Sequence, residues 1–245
     1  MYQKLTLLKK FYITLALLAV ISLLVLNSMF DVVNCNMRKD HKSKRDQYFQ
    51  DVKDKISKLE KEELKDATTI QRLAEQYNLI GSFYLDGRLW DLAIDAFTKS
   101  MKYGNSSPNV YYSLGLAYAN RGAEKNSAED LNKAEFNYRK AIEMDGSLLD
   151  AKYALSILLF YHRENGKEEA QTLINEILIK NHSNYAARFA NGRFNYELGN
   201  KQKALTIYQE LATDLEKLPP SEISKEYKAQ CSSNITRIMT ELSMK

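Results

Sequence analysis

Small residues recur in this chain at one interval: Gly81 and Gly115 lie 34 positions apart, and so do Ala170 and Ala204. The same short phrase surrounds several of them. AIDAFTKS begins at Ala93, AEFNYRKA at Ala134 and ALTIYQEL at Ala204, each a small residue, three variable positions and then an aromatic ring. A blurred copy, AQTLINEI from Ala170, carries Ile174 where the ring should stand. A period of this size signals like units stacked side by side, because one helical hairpin cannot bury both of its faces and its neighbours must supply the cover.

The composition agrees with helical units. The 245 residues include only 9 Gly and 3 Pro, and the Leu, Ala, Glu and Lys runs between them favour helix. The net charge of +4 comes from interleaved acids and bases, not from a basic patch or stripe, so no nucleic-acid partner is expected. The two cysteines, Cys35 and Cys231, are far apart and lack metal-ligand spacing. Cys231 reads as a small buried apolar residue on a helix face.

Working back from each phrase exposes a fuller pattern. Tyr77, Ile80, Gly81 and Tyr84 precede Ala93, Phe97 and Ser100; Tyr111, Leu114, Gly115 and Tyr118 precede Ala134, Tyr138 and Ala141. Gly192, Leu198, Gly199, Ala204 and Tyr208 fill the last copy. This resembles the tetratricopeptide repeat, a pair of antiparallel helices, over residues 74–217. The resemblance implies an all-α fold: a right-handed α-solenoid of about four helix pairs over 67–217, closed by a capping helix within 218–245. Gly81 and Ala93 would be small where the helices of a unit approach closely, and Phe97, Tyr138 and Tyr208 large to fill the gaps between units.

Two departures carry expectations of their own. Repeat two has about seven extra residues between its helices, RGAEKNSAEDL, which predicts a protruding turn. Repeat three keeps Tyr161 and Ala170 but places Leu158 where counting expects Gly, which predicts slightly wider helix spacing. At the boundaries, Ser107-Pro108 opens repeat two as an N-cap and first-turn proline, and Ser221 caps the final helix. Ile223, Tyr227, Cys231, Ile235, Ile238 and Leu242 should line that helix's buried face.

The N-terminus follows other rules. Phe11 to Phe30 runs twenty residues without a charge, enough helix to cross the roughly 30 Å hydrocarbon layer. Lys4, Lys9 and Lys10 before it suit a tail 1–10 left in the cytoplasm, although Arg38, Lys39, Lys42, Lys44 and Arg45 follow it. A transmembrane signal-anchor over 11–30 is expected, with a periplasmic repeat domain. A cleaved signal, and a lipoprotein signal with lipid on Cys35 in the degenerate lipobox VVNC, are the alternatives. Residues 31–66 form a charged helical spacer on which Phe49, Val52, Ile56 and Leu59 follow a 3-4-3 spacing, a single apolar stripe. The stripe packs within the chain or, alternatively, makes the 46–66 helix a homo-oligomer contact.

No catalytic constellation is present in the sequence. His41, His162 and His182 are isolated, and no HExxH, Cys/His cluster, GxSxG or glycine-rich phosphate loop occurs, so no enzyme activity, metal or cofactor is expected. What remains is the inner face which, the resemblance implies, comes from the first helix of each unit. It would carry Asn78, Ser82, Tyr112, Leu116, Asn120, Leu155, Leu159, Arg163, Phe189, Arg193 and Tyr196, a groove for a protein or peptide partner. The Lys and Asn that clamp a C-terminal carboxylate in chaperone-binding members would fall on Asn78, Ser82, Ser113, Lys152 and Ser156, and only Lys152 suits. The expected function is a membrane-anchored scaffold for cell-envelope assembly, secretion or division.

Overall fold

A computed structural model of the protein describes residues 44–62, 65–219 and 221–244, and every regular element among them is a helix. The chain divides into two compact units, Met1–Lys58 and Leu59–Lys245. The described part of the first lies in helix α1, residues 44–60. Val52 and Ile56 are buried along it and Phe49 and Leu59 half-buried, with exposed residues between them, so the apolar stripe forms as its spacing predicts.

The second unit strings together α2 (Ala67–Asp86), α3 (Trp90–Lys102), α4 (Pro108–Lys125), α5 (Ala128–Met144), α6 (Leu149–His162), α7 (Lys167–Lys180), α8 (Tyr185–Glu197), α9 (Lys201–Glu216) and α10 (Glu222–Ser243). Each of these helices packs on the next, and the first helices of successive pairs, α2, α4, α6 and α8, also touch one another. Caps start several of them: the side chains of Asp66, Ser127 and Asn184 accept first-turn amides of α2, α5 and α8. Ser221 and Ser224 form a reciprocal capping box on α10. Pro108 takes the first position of α4, but the Ser107 side chain makes no cap bond.

Three glycines hold the pairs together. A Cβ on Gly81 would lie 2.7 Å from the Phe97 ring, one on Gly115 2.7 Å from Tyr138, and one on Gly192 2.8 Å from Tyr208. Those rings are 0–1% exposed. Each therefore rests on the glycine of its own pair, inside the unit and not merely in the gap between units.

Repeat three solves the same contact differently. Its buried positions Ala151, Leu155, Ser156 and Leu158 correspond to Val110, Leu114, Gly115 and Ala117 of repeat two. The small residue is thus Ser156, 0% exposed, and not the position of Leu158. Counting back 34 from Gly192 misses because the segment from the small residue to the repeated alanine is two residues longer in repeat three. Ser156 to Ala170 is fourteen positions against twelve from Gly192 to Ala204. One extra residue extends α6 and the other lengthens the Arg163–Gly166 connection. Gly166 is needed there because a Cβ would meet the Leu159 carbonyl oxygen at 2.5 Å.

The insertion in repeat two does not protrude as a loop. It lengthens α4 and α5 to 18 and 17 residues, joined only through Asn126, in the left-handed region at φ 52°, and Ser127. Continuing helix satisfies the backbone of the extra residues, and Gly122 lets the extensions close up, its Cβ direction 3.1 Å from Asp130 and Leu131. The end of α4 also ties to α3. Arg121 Nη1 donates to Asp91 at 2.5 Å, Lys125 Nζ to Asp91 at 3.2 Å, and Trp90 Nε1 donates to Glu124 at 2.5 Å.

Helix α10 closes the last pair with Tyr227, Cys231, Ile235, Ile238 and Leu242 in the α9 cluster. Burial pushes the Cys231 thiol up to about 11. Ile223, expected on that face, is exposed instead, and the adjacent Ser224 is the buried residue of the first turn.

The tail 1–10, the apolar run 11–30 and Cys35 lie outside the described residues. Among the described residues no helix is long and apolar enough to cross a membrane. The longest, α2 and α10, have sufficient length but carry polar and charged side chains. The expectation of a single-pass membrane protein with a periplasmic repeat domain is corrected on that finding.

Candidate partner-binding groove

Successive first helices present side chains in rows. Tyr112 and Leu116 on α4 are repeated by Tyr153 and Ile157 on α6 and by Phe189 and Arg193 on α8, each pair one helical turn apart. Between α4 and α6 these rows border a cleft of about 340 Å³. Tyr112, Leu116, Ala119, Asn120 and Ala123 form one wall, Tyr153, Ala154, Ile157, Leu158 and His162 the other, and Leu131 and Tyr138 of α5 the floor. Space exists because Ala119, Ala123 and Ala154 are small. Ala123 and Leu131 belong to the lengthened ends of α4 and α5, so the insertion deepens the cleft.

The lining contains no Asp, Glu, Lys or Arg. Burial raises the phenol pKa of Tyr112, Tyr138 and Tyr153, which therefore stay neutral. The Tyr112 and Tyr138 rings pack 6.2 Å apart, tilted by 40°. Asn120 commits its amide N–H to the Leu116 carbonyl at 2.7 Å, which leaves its Oδ1 available to accept a bond at the mouth. Such a surface can desolvate an apolar side chain but cannot hold a metal ion, and among the described residues no His, Cys, Asp and Glu cluster could do so.

Of the residues expected on the groove, Tyr112, Leu116 and Asn120 come together in the cleft. Leu155 and Leu159 do not, being 2% exposed in the core, because the register of α6 is displaced by two residues. Tyr153 and Ile157 stand in their place, marked in the sequence by the same aromatic-then-aliphatic spacing as Tyr112 and Leu116. Arg163 also leaves the groove: it ends α6 and bonds Glu135 at 2.7 Å and Asn132 at 2.5 Å on α5. Asn78 and Ser82 are half-buried on α2, linked by a bond from Ser82 Oγ to the Asn78 carbonyl, and lie outside the cleft.

The α8 residues meet α10. Phe189 packs 5.3 Å from the Tyr208 ring and 5.7 Å from Tyr227. Tyr196 donates to Glu241 at 2.7 Å and lies 4.3 Å beneath the Arg237 guanidinium. Arg193 remains exposed, its Nε donating to the Tyr161 hydroxyl at 2.5 Å and its guanidinium 4.7 Å above that ring. Lys152, the one residue suited to a carboxylate clamp, bonds Glu176 at 2.5 Å instead, and Ser156 is buried.

No protein-family model matches the sequence, and no curated protein matches it. Solved structures do resemble the fold. TTC0263, a thermophilic TPR protein of Thermus thermophilus, has a TM-score of 0.56 at 14% identity, covering 69% of this chain and 89% of that one. MamA has a TM-score of 0.50 at 20% identity, covering 59% of this chain and 79% of that one. Likeness at these identities is one of fold, and the fold of the described helices is that of a tetratricopeptide-repeat stack.

Proposed function

We propose that this protein is a binding scaffold that holds a peptide segment of a partner protein across α4 and α6, with a large apolar side chain of that peptide seated in the cleft. The observation that supports this reading best is the lining by Tyr112, Leu116, Tyr153 and Ile157 of about 340 Å³, a volume at the small end of ligand sites and suited to one or two side chains. Association of two chains through the 46–66 stripe is the weaker alternative, since Val52 and Ile56 are already buried within one chain.

The test uses acetylated, amidated dodecapeptides with a single central Phe, or Ala in its place, and fluorescence anisotropy with the full chain. The Phe peptide should bind more tightly, and Ala119→Trp, which fills the cleft, should weaken it by about tenfold, or 1.4 kcal/mol. Equal binding of the Phe and Ala peptides, or indifference to Ala119→Trp in a variant of unchanged helicity, would overturn the reading.

A further inference from the structure

The arginines of α4 through α9 divide four against one. Arg121 bonds Asp130 and Asp91, Arg139 bonds Glu135 and Glu169, Arg163 bonds Glu135, and Arg188 bonds Asp214. Arg193 has no carboxylate within ion-pair distance among the described residues, and its partner is the neutral Tyr161 hydroxyl. Among the five arginines from α4 to α9, Arg193 thus keeps its charge uncompensated by a carboxylate.

It is also held ready. Tyr161 lies under the guanidinium and is itself braced edge-on by Phe160 at 5.0 Å and Phe194 at 6.2 Å. Fixing an arginine on an aromatic face before a ligand arrives removes much of the ordering cost of binding. Arg193 shares its row with Leu116 and Ile157, one first-helix further along, and the Tyr153 phenol in the cleft wall feels its charge. Arg237, on Tyr196, is the neighbouring arginine without a carboxylate pair, for Glu241 is engaged by Lys201 at 2.6 Å and by Tyr196.

We infer that Arg193, seated on Tyr161, receives an acidic side chain of the same peptide whose apolar residue fills the α4–α6 cleft. This rests on the groove reading above and adds a requirement to it. Packed helices lie about 8–10 Å apart, so the step from the cleft to α8 spans roughly 10–15 Å, or about three or four residues of extended chain. The partner would then carry an apolar anchor and a Glu or Asp at that separation. Arg suits this task because its planar fork presents paired N–H donors to a carboxylate.

The experiment extends the same dodecapeptides with Glu placed two to six residues from the Phe on either side, each matched by a Gln version, all amidated so that Glu is the sole carboxylate. At one separation near three or four residues, Glu should bind about fivefold more tightly than Gln, a gain that shrinks with added salt. That ratio should fall to about one in Arg193→Gln and be partly kept in Arg193→Lys. If Phe still outbinds Ala but Glu and Gln are equal at every separation, the acidic requirement is wrong and the cleft stands. If Phe and Ala are equal, both readings fall. A Glu preference that survives Arg193→Gln, or displacement of the Glu peptide by oligo-dT at equal concentration, also overturns the assignment to Arg193 and an acidic peptide.

Discussion

Repeats two and three use opposite means to the same packing. In repeat two, α4 offers Gly115 as a seat for the Tyr138 ring, the helices run on for extra turns, and Arg121 clamps Asp130 across their ends. In repeat three, α6 offers Ser156, α7 answers with Ile174 instead of a ring, and the helices stop after 14 residues each. Both interiors are closed. A helix pair therefore needs a small residue facing a large one and tolerates redistribution of volume between them, provided the sum fills the space. Between these unlike units lies the cleft: the long pair gives it depth, and the shifted register of the short pair gives it Tyr153 and Ile157.

Removing the ring tests this contrast most severely. Tyr138→Ala should cost about 3–5 kcal/mol in urea unfolding, more than Ile174→Ala, since more buried atoms leave. Equal costs would mean that the ring on its glycine contributes no more than the aliphatic contact. Next comes the bidentate arginine clamp, in contrast to the single Lys152–Glu176 bond between the helices of repeat three. Asp130→Asn leaves Arg121 without its bidentate partner and should cost about 1–3 kcal/mol at neutral pH.

The acid dependence of that clamp has a definite sign. Arg121 holds the Asp130 carboxyl below its usual value of 3.8 in the folded chain. The stabilisation is therefore complete above that value and lost as pH falls through the lower, folded-state value. Acid titration of unfolding should show a shallower loss below pH 4 in the Asn variant than in the natural chain, and parallel curves would remove the clamp from the account. A smaller effect is expected from Gly115→Ala. Forcing a methyl against Tyr138 costs more than the helix propensity gained, leaving a net loss of about 1–2 kcal/mol by thermal or urea unfolding. Smallest of all is Ser156→Ala, where the seat stays small and the Oγ bond to the Tyr153 carbonyl is lost against a gain in helix propensity. The change should stay within about 1 kcal/mol, and a larger one would show that the hydroxyl, not the size, matters there.

The repeat pattern carried much of this in plain sight. Ala93 with Phe97, Ala134 with Tyr138 and Ala204 with Tyr208 are buried as their recurrence requires, and the stripe on α1 follows its spacing. Three of the twelve residues lining the cleft, Tyr112, Leu116 and Asn120, stood among the expected groove positions. The α6 wall did not, because counting 34 residues assumes equal connections. Two extra residues between Ser156 and Ala170 set the register that puts Leu155 and Leu159 in the core and the half-buried Tyr153 and Ile157 in the cleft wall. The pairing of Arg163 with Glu135 was hidden for a related reason: its partner is 28 positions away on another helix.

By itself, the sequence determined that the chain is built of helix pairs, which residues are the small seats and large fillers in most of them, and where α4 and α10 begin. Those features are local, set by steric volume and backbone hydrogen bonding within a turn or a hairpin. The tertiary structure alone decided the register of α6, the conversion of the repeat-two insertion into longer helices, and which arginines found a carboxylate. Each of these is settled by burial and by distances between side chains on different helices, and no interval in the sequence encodes those distances.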